Sequence, residues 1–186
     1  VFYALLGFVA AVLMALLRYQ MFNTFENVID LKETTKLPVL GSLPFEKNIE
    51  GLGVDTSSKS SLMESLRGIR TSLSYSSGKE GRLFMVTSIH PGEGKTFISG
   101  SLAALYAHAG KRVLIIDYDL RKPRLHKLLN IENAKGKSNF LSGQEGVSDM
   151  IVEVSDNLFA LTSGPVPPNP SELVLSDKVD QLLSYG

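Results

Sequence analysis

This sequence predicts an α/β fold, a parallel sheet flanked by helices and preceded by an apolar membrane helix. Three observations predict it. Arg82 to Thr87 is a short apolar, β-branched run entering the glycine-rich turn Pro91-Gly92-Glu93-Gly94, and Phe97 to Ala109 follows as a Pro-free helix rich in Ala and Leu. Arg112 to Asp117 is a second continuous apolar run, of the kind buried parallel strands show, so strand, helix and strand form a βαβ unit. Val1 to Leu17 carries no charged residue, and Arg18 is the first charge.

Seventeen helical residues span about 25 Å, against about 30 Å of hydrocarbon, and residues upstream of Val1 would supply the missing turn. A signal peptide would carry a basic leading region and a small-residue cleavage site, and neither is present. A buried core helix suits a run apolar on every face less well than a membrane span does. Residues 1–20 therefore read as a transmembrane helix. The chain begins at Val1 inside this run and stops at Gly186 without a terminal signal, which predicts a piece of a longer protein.

Formal net charge is zero, so no basic field argues for nucleic acid. The absence of cysteine excludes disulfides and cysteine metal sites. Residues 21–60 read as a juxtamembrane tether. Within it Asn27 to Lys32 is a short helix or strand, and Leu37 to Pro44 is extended because two prolines forbid helix. Gly51 to Ser61 is Gly/Ser-rich and reads as a mobile spacer.

Residues 61–186 then form the nucleotide domain. Ser61 to Tyr75 is helical, with Leu62, Leu66, Ile69 and Leu73 along one face. Glu64, Arg67 and Arg70 make a charged stripe at spacing three, and on spacing alone this is an ordinary solvated face. The turn from Pro91 to Thr96, between strand and helix, is a P-loop in which Ile89 stands where the general pattern has Gly. Gly92 and Gly94 free backbone N–H groups to surround phosphate oxygens, and the helix N-terminus adds its dipole. Pro91 to Phe97 would cradle the nucleotide; Lys95 would reach the β/γ-phosphates and the Thr96 hydroxyl would ligate Mg²⁺. Gly110-Lys111 caps the helix.

Parallel sheets place ligands at the carboxyl ends of their strands, so Asp117 and Asp119 emerge beside the P-loop, where a metal or a transferable proton would keep them company. Arg121, Lys122 and Arg124 follow, either to stabilise phosphate charge or to pair with those acids. His126 reads as structural. Asn157 to Thr162 is a third strand, Ser163 to Pro170 a rigid loop, and Ser171 caps a helix running through Leu182.

Together these residues resemble a known family. Thr87 to Thr96 is similar to the Walker A motif of the bacterial tyrosine kinases, and Leu114-Ile115-Ile116-Asp117-Tyr118-Asp119-Leu120-Arg121-Lys122-Pro123 to their Walker A′ motif. The Glu64/Arg67/Arg70 stripe looks like the family's EX2RX2R motif, and Gly164-Pro165 with Pro168 to Leu173 follows its proline loop. So does the tether segment Leu37 to Pro44. The resemblance covers nearly the whole chain and implies a P-loop NTPase fold of the MinD/ParA kind. It implies an ATP- and Mg²⁺-dependent protein-tyrosine autokinase in the bacterial inner membrane, cytosolic after Arg18, governing capsular or exopolysaccharide chain length and export. Its implied partners are membrane lipid, the polysaccharide polymerase and export machinery, and further copies of itself, assembled through Glu64, Arg67 and Arg70 into a ring that phosphorylates in trans.

Among the catalytic residues, Lys95 would neutralise γ-phosphate charge. Asp117 would deprotonate the attacking tyrosine and Asp119, with Thr96, would order the metal, or the two aspartates would exchange roles. A Walker B strand and a tyrosine-rich tail, both implied by the family, do not occur before Gly186. The resemblance therefore implies that the parent is the kinase and that these residues alone are inactive or poorly folded. Two alternatives remain: an ATP-binding chain-length regulator without catalysis, and a partitioning ATPase, whose additional P-loop lysine is missing from Ile89 to Gly92.

Overall fold

The computed structural model describes residues 2–21, 32, 35–46, 51–52, 59–76, 83–144, 146–175 and 178–183. The chain divides into two units, Val1–Ser42 and Leu43–Gly186.

The first unit is one helix, α1 (Phe2–Met21), followed by an extended stretch over 35–42. Twenty residues at about 1.5 Å each give about 30 Å, the thickness of a bilayer core. Each side chain from Phe2 to Tyr19 is exposed. By length and composition α1 can cross a membrane. Asn27 to Leu31 lies outside the described residues.

In the second unit the elements run α2 (Ser61–Ser76), α3 (Lys95–His108), β1 (Val113–Ile116), α4 (Leu125–Leu129), α5 (Lys137–Leu141), a 3₁₀ turn (Ser148–Met150), β2 (Ile151–Ser155), β3 (Leu158–Leu161), α6 (Pro170–Val174) and α7 (Lys178–Leu183). The sheet order is β1-β3-β2. β1 pairs parallel with β3, Val113 opposite Leu158 and Ile116 opposite Leu161, and β2 joins β3 antiparallel at the edge. Alternation along the strands sends side chains to opposite faces. Ile115, Leu158 and Ala160 pack with Ala103, Ala107, Leu125 and Leu129 of α3 and α4. Leu114, Ile116 and Leu161 meet Phe140 of α5, Met150 and Leu182 of α7. The sheet is thus covered on both faces. A third cluster, Leu62, Met63, Leu66 and Leu105 with Phe97 and Leu43 beside it, holds α2 against α3.

Local chemistry fixes the ends of the long helices. The Ser60 hydroxyl accepts the Met63 N–H at 3.2 Å and starts α2. At the end of α3, Gly110 takes φ 76° and its N–H reaches the Ala107 carbonyl at 2.9 Å. The Lys111 N–H reaches the Tyr106 carbonyl at 3.1 Å, completing the paired bonds of a Schellman motif.

Three expectations are corrected. Residues 83–88 form no strand: Leu83 and Met85 are 74% and 89% exposed, and among the described residues no strand pairs with this run. An apolar segment becomes a buried strand only where neighbours supply a ladder and a covering face, so the βαβ unit is represented by its helix and second strand. Gly51 to Ser61 is not spacer throughout, because Leu52 packs into the α3/α4 core and its carbonyl accepts the Ser101 hydroxyl at 2.8 Å. Ser171 is not a helix cap. Pro170 occupies the first position of α6 behind Asn169, α6 ends at Val174, and α7 begins anew at Lys178.

Candidate functional site

The P-loop is built by glycine at the two places where the backbone turns left-handed, Gly92 (φ 94°) and Gly94 (φ 86°). Gly94 directly precedes α3, and its carbonyl accepts the Ile98 N–H at 2.9 Å, the first bond of the helix. The Glu93 carboxylate folds back over the loop, accepting the N–H groups of Ile89 at 3.0 Å and His90 at 3.1 Å, with His90 Nδ1 at 3.3 Å. The His90 backbone bond foremost holds this carboxyl below the usual range. Glu93 therefore shapes the loop's entry from its own side chain. Pro91 is exposed at the tip, Thr96 is half-buried in the first turn, and Phe97 packs into the α2/α3 cluster. A contribution of Phe97 to a nucleotide site would come from its backbone.

β1 delivers the acids. The Asp117 N–H bonds to the Leu161 carbonyl at 2.9 Å, extending the parallel ladder one residue past the strand. Its side chain, only 9% exposed, accepts the Asp119 N–H on Oδ1 at 3.1 Å and the Leu125 N–H on Oδ2 at 3.2 Å, which ties it to the start of α4. Asp119 Oδ1 accepts the N–H groups of Arg121 at 3.1 Å and Lys122 at 2.9 Å, while Oδ2 faces Lys95 Nζ at 3.8 Å. Burial alone would raise the Asp119 pKa. The backbone bonds from Lys122 and Arg121, then the charges of Lys95 and Lys137, outweigh it and hold the carboxyl below its ordinary value. Lys95, at the first position of α3, thus meets Asp119 just beyond the end of β1.

The cation cluster divides. Arg121 and Lys122 meet Asp119 through backbone N–H groups, and the Arg121 guanidinium donates to the Ser171 hydroxyl at 3.2 Å. Arg124 is exposed just before α4. His126 packs at α4, with Nδ1 buried and without a partner among the described residues. The stripe on α2 also divides: Arg67 pairs with Glu64, whereas Arg70 Nη1 donates across to the Leu105 carbonyl of α3 at 3.1 Å.

One residue of this neighbourhood escaped the sequence reading. Lys137, at the start of α5, is fully buried, with Nζ 3.4 Å from the centroid of the Tyr118 ring. Burial lowers its pKa to about 8, against the opposing pull of Asp117 and Asp119. A backbone clasp places it there: the N–H groups of Lys137 and Ser138 donate to the carbonyls of Thr162 and Ser163, each at 2.8 Å. Asn133 closes the clasp on Gly164, donating to its carbonyl at 2.8 Å and accepting its N–H at 3.0 Å. A lysine in the polar stretch Asn133 to Ser138 gives no sequence signal of this burial.

Among the described residues no group of three or more His, Cys, Asp or Glu side chains could by itself hold a metal. A hydroxyl and a carboxylate, at Thr96 and Asp119, are the donors that could hold a magnesium ion keeping most of its waters, since Lys95 beside Thr96 already approaches Asp119 at 3.8 Å.

Fold and site together define a nucleotide-binding P-loop domain. Residues 84–175 match the CobQ/CobB/MinD/ParA nucleotide binding domain. The chain is 40% identical over 142 residues to the tyrosine-protein kinase Etk of Escherichia coli K12, covering 75% of this chain and 19% of Etk. It is 40% identical over 135 residues to the putative tyrosine-protein kinase CapB of Staphylococcus aureus, covering 72% and 59%. The solved kinase domain of Escherichia coli tyrosine kinase ETK superposes with a TM-score of 0.79 at 34% identity, covering 87% of this chain and 68% of that domain. The chain belongs to the family of bacterial tyrosine kinases. It spans about a fifth of the length of Etk and about three fifths of CapB.

Proposed function

We propose that this chain is the nucleotide-binding part of an ATP- and Mg²⁺-dependent protein-tyrosine autokinase. The observation that carries the reading is the approach of Lys95 to Asp119 at 3.8 Å, which brings the P-loop and the carboxyl end of β1 into one locus. Pro91 to Phe97 bind the phosphates, with Lys95 on the γ-phosphate. Thr96 and Asp119 would hold the metal, which would supply neutralisation of phosphate charge. An acceptor tyrosine, oriented near Asp117, gives up its phenolic proton to that carboxylate. The bond from its oxygen to the γ-phosphorus forms as the bond to the β–γ bridging oxygen breaks, leaving ADP and phosphotyrosine. Asp119 is the alternative base. Positioning and charge stabilisation supply most of the rate in such a loose transition state.

The proposed organisation is a membrane helix over 1–20, a tether over 21–60 and the kinase domain over 61–186, cytosolic after Arg18. A relative named as a putative tyrosine-protein kinase in cps region supports a proposed role in capsular or exopolysaccharide chain length and export, with the polymerase and export machinery as partners. Glu64, Arg67 and Arg70 are proposed to contact a neighbouring copy in a ring that phosphorylates in trans.

The test uses the native gene product in detergent with Mg-ATP, beside its Lys95→Met and Asp117→Asn variants. Phosphotyrosine in the native protein that disappears in both variants is the expected result. Hydrolysis of ATP without phosphotyrosine would replace the kinase by a switch ATPase, and binding without either reaction would leave an ATP-binding regulator.

A further inference from the structure

Among the described residues, one fully buried charged side chain makes no hydrogen bond. Lys137 is wholly buried, and its Nζ has no hydrogen-bond partner among the described residues. A buried ammonium without hydrogen bonds destabilises a fold, and contact with one aromatic face offsets only part of that cost. An apolar side chain of similar length would serve the packing better. What Lys137 contributes that a methionine could not is a positive charge, fixed beneath Tyr118 at 3.4 Å from its ring centroid.

Tyr118 stands between Asp117 and Asp119 in the chain. The electrostatic effect is mutual: both carboxylates act on Lys137, and Lys137 acts on Asp119. The lysine thus reaches the acids by charge through space, whereas Lys95 approaches Asp119 directly at 3.8 Å. The clasp of Lys137 and Ser138 onto Thr162 and Ser163 fixes the backbone from which it extends.

Two carboxylates beside a phosphate loop attract a bare divalent cation even when no nucleotide is present. A fixed internal cation opposes that ion and favours a polyphosphate anion. We propose that Lys137 is a positioning residue, a built-in counter-charge to the Asp117/Asp119 pair that makes the divalent metal enter with the nucleotide and not ahead of it. This rests on the nucleotide-kinase reading of the site.

The test is calorimetric titration of the native full-length protein and its Lys137→Met variant in detergent, in two arms. One arm titrates Mg²⁺ or Mn²⁺ alone; the other titrates ADP in the presence of EDTA. In Lys137→Met, the metal alone should bind more tightly, and metal-free ADP more weakly, each by roughly tenfold, the scale of one unit charge acting across protein and water. A Lys137→Arg variant, which keeps the charge, should resemble the native protein in both arms. Thermal unfolding of Lys137→Met should match or exceed that of the native protein, showing that the fold survives. A merely structural lysine would move both affinities in one direction or neither, and either outcome overturns the inference. A native protein that binds ADP while Lys137→Met leaves both arms unmoved overturns this inference alone. A native protein that binds no nucleotide overturns the kinase reading and the inference with it.

Discussion

Gly136→Ala should be among the most damaging single-methyl changes in this chain. Gly136 has an extended backbone, φ 178°, so an alanine is conformationally acceptable there. The obstacle is space. A Cβ at 136 would lie 2.2 Å from the Gly164 nitrogen, 2.5 Å from the Thr162 oxygen and 2.7 Å from the Gly164 Cα, all backbone atoms. Restoring an ordinary contact of 3.4 Å from 2.2 Å requires the two segments to part by 1.2 Å (3.4 − 2.2). The 2.8 Å bonds from Lys137 to Thr162 and from Ser138 to Ser163 cannot survive that movement, and the Asn133–Gly164 pair is strained with them. Two or three lost bonds, at about 1–1.5 kcal/mol each, bring the loss to roughly 2–4.5 kcal/mol. For a chain of this size that lowers Tm by roughly 4–18 °C. Gly100→Ala is the control. There the new methyl meets only the movable ends of Leu128 and Leu52, each at 2.8 Å, and a helical Gly→Ala change recovers up to about 1 kcal/mol. Its net effect should stay within about 1 kcal/mol. Circular dichroism at 222 nm during thermal unfolding of the whole chain in detergent reads both. A Gly136→Ala melt within 2 °C of the native one, or a Gly100→Ala melt equally depressed, would refute the reasoning.

Leu66→Ala, at a fully buried position between α2 and α3, should cost about 2–5 kcal/mol in urea unfolding, with Leu62, Met63 and Leu105 left lining a cavity. Native stability should rise between pH 8 and pH 10 relative to Lys137→Met. Burial lowers the Lys137 pKa to about 8 from 10.5, so in that window the folded state holds fewer protons than the unfolded state, which favours folding as pH climbs. The gain should be roughly 2–3 kcal/mol, read from urea midpoints at the two pH values. Arg70→Ala should cost about 1–2 kcal/mol through its lost bond to the Leu105 carbonyl, whereas Glu64→Gln, breaking a surface pair, should cost less than about 1 kcal/mol. Equal losses in the two variants would contradict the different placement of the two charges.

What local chemistry decides was legible in the chain. Gly110 after a run of Ala and Leu announced the end of α3, Arg112 to Asp117 announced β1, and the glycines of the P-loop announced a turn that bends left-handed. What depends on distant neighbours was not. Residues 83–88 have the composition of a buried strand, yet burial belongs to the surroundings, and among the described residues no strand pairs with them, Phe84 only stacking on Tyr106 at 6.2 Å. The alternation Ile151-Val152-Glu153-Val154 suits an edge strand, but its antiparallel partner is set by the tight turn at Asp156-Asn157, where Asn157 takes φ 63°. Pro170 overrode Ser171 at the start of α6 because its fixed φ suits the first helical position. Of the candidate site, Lys95, Asp117 and Asp119 emerge where strand–helix logic sends them. Lys137 does not, since its place is made by Thr162 and Ser163, more than twenty residues onward.

The bond from Arg70 to the Leu105 carbonyl has a mechanical consequence. α3 has fourteen residues and is a stiff rod about 21 Å long. One end opens from the P-loop, and the other is gripped by the last member of the charged stripe on α2. A rod held in this way cannot tilt at its tip without shifting its grip. Any adjustment the loop makes around a phosphate must be absorbed as slip at Arg70, or else carried outward as a displacement of α2.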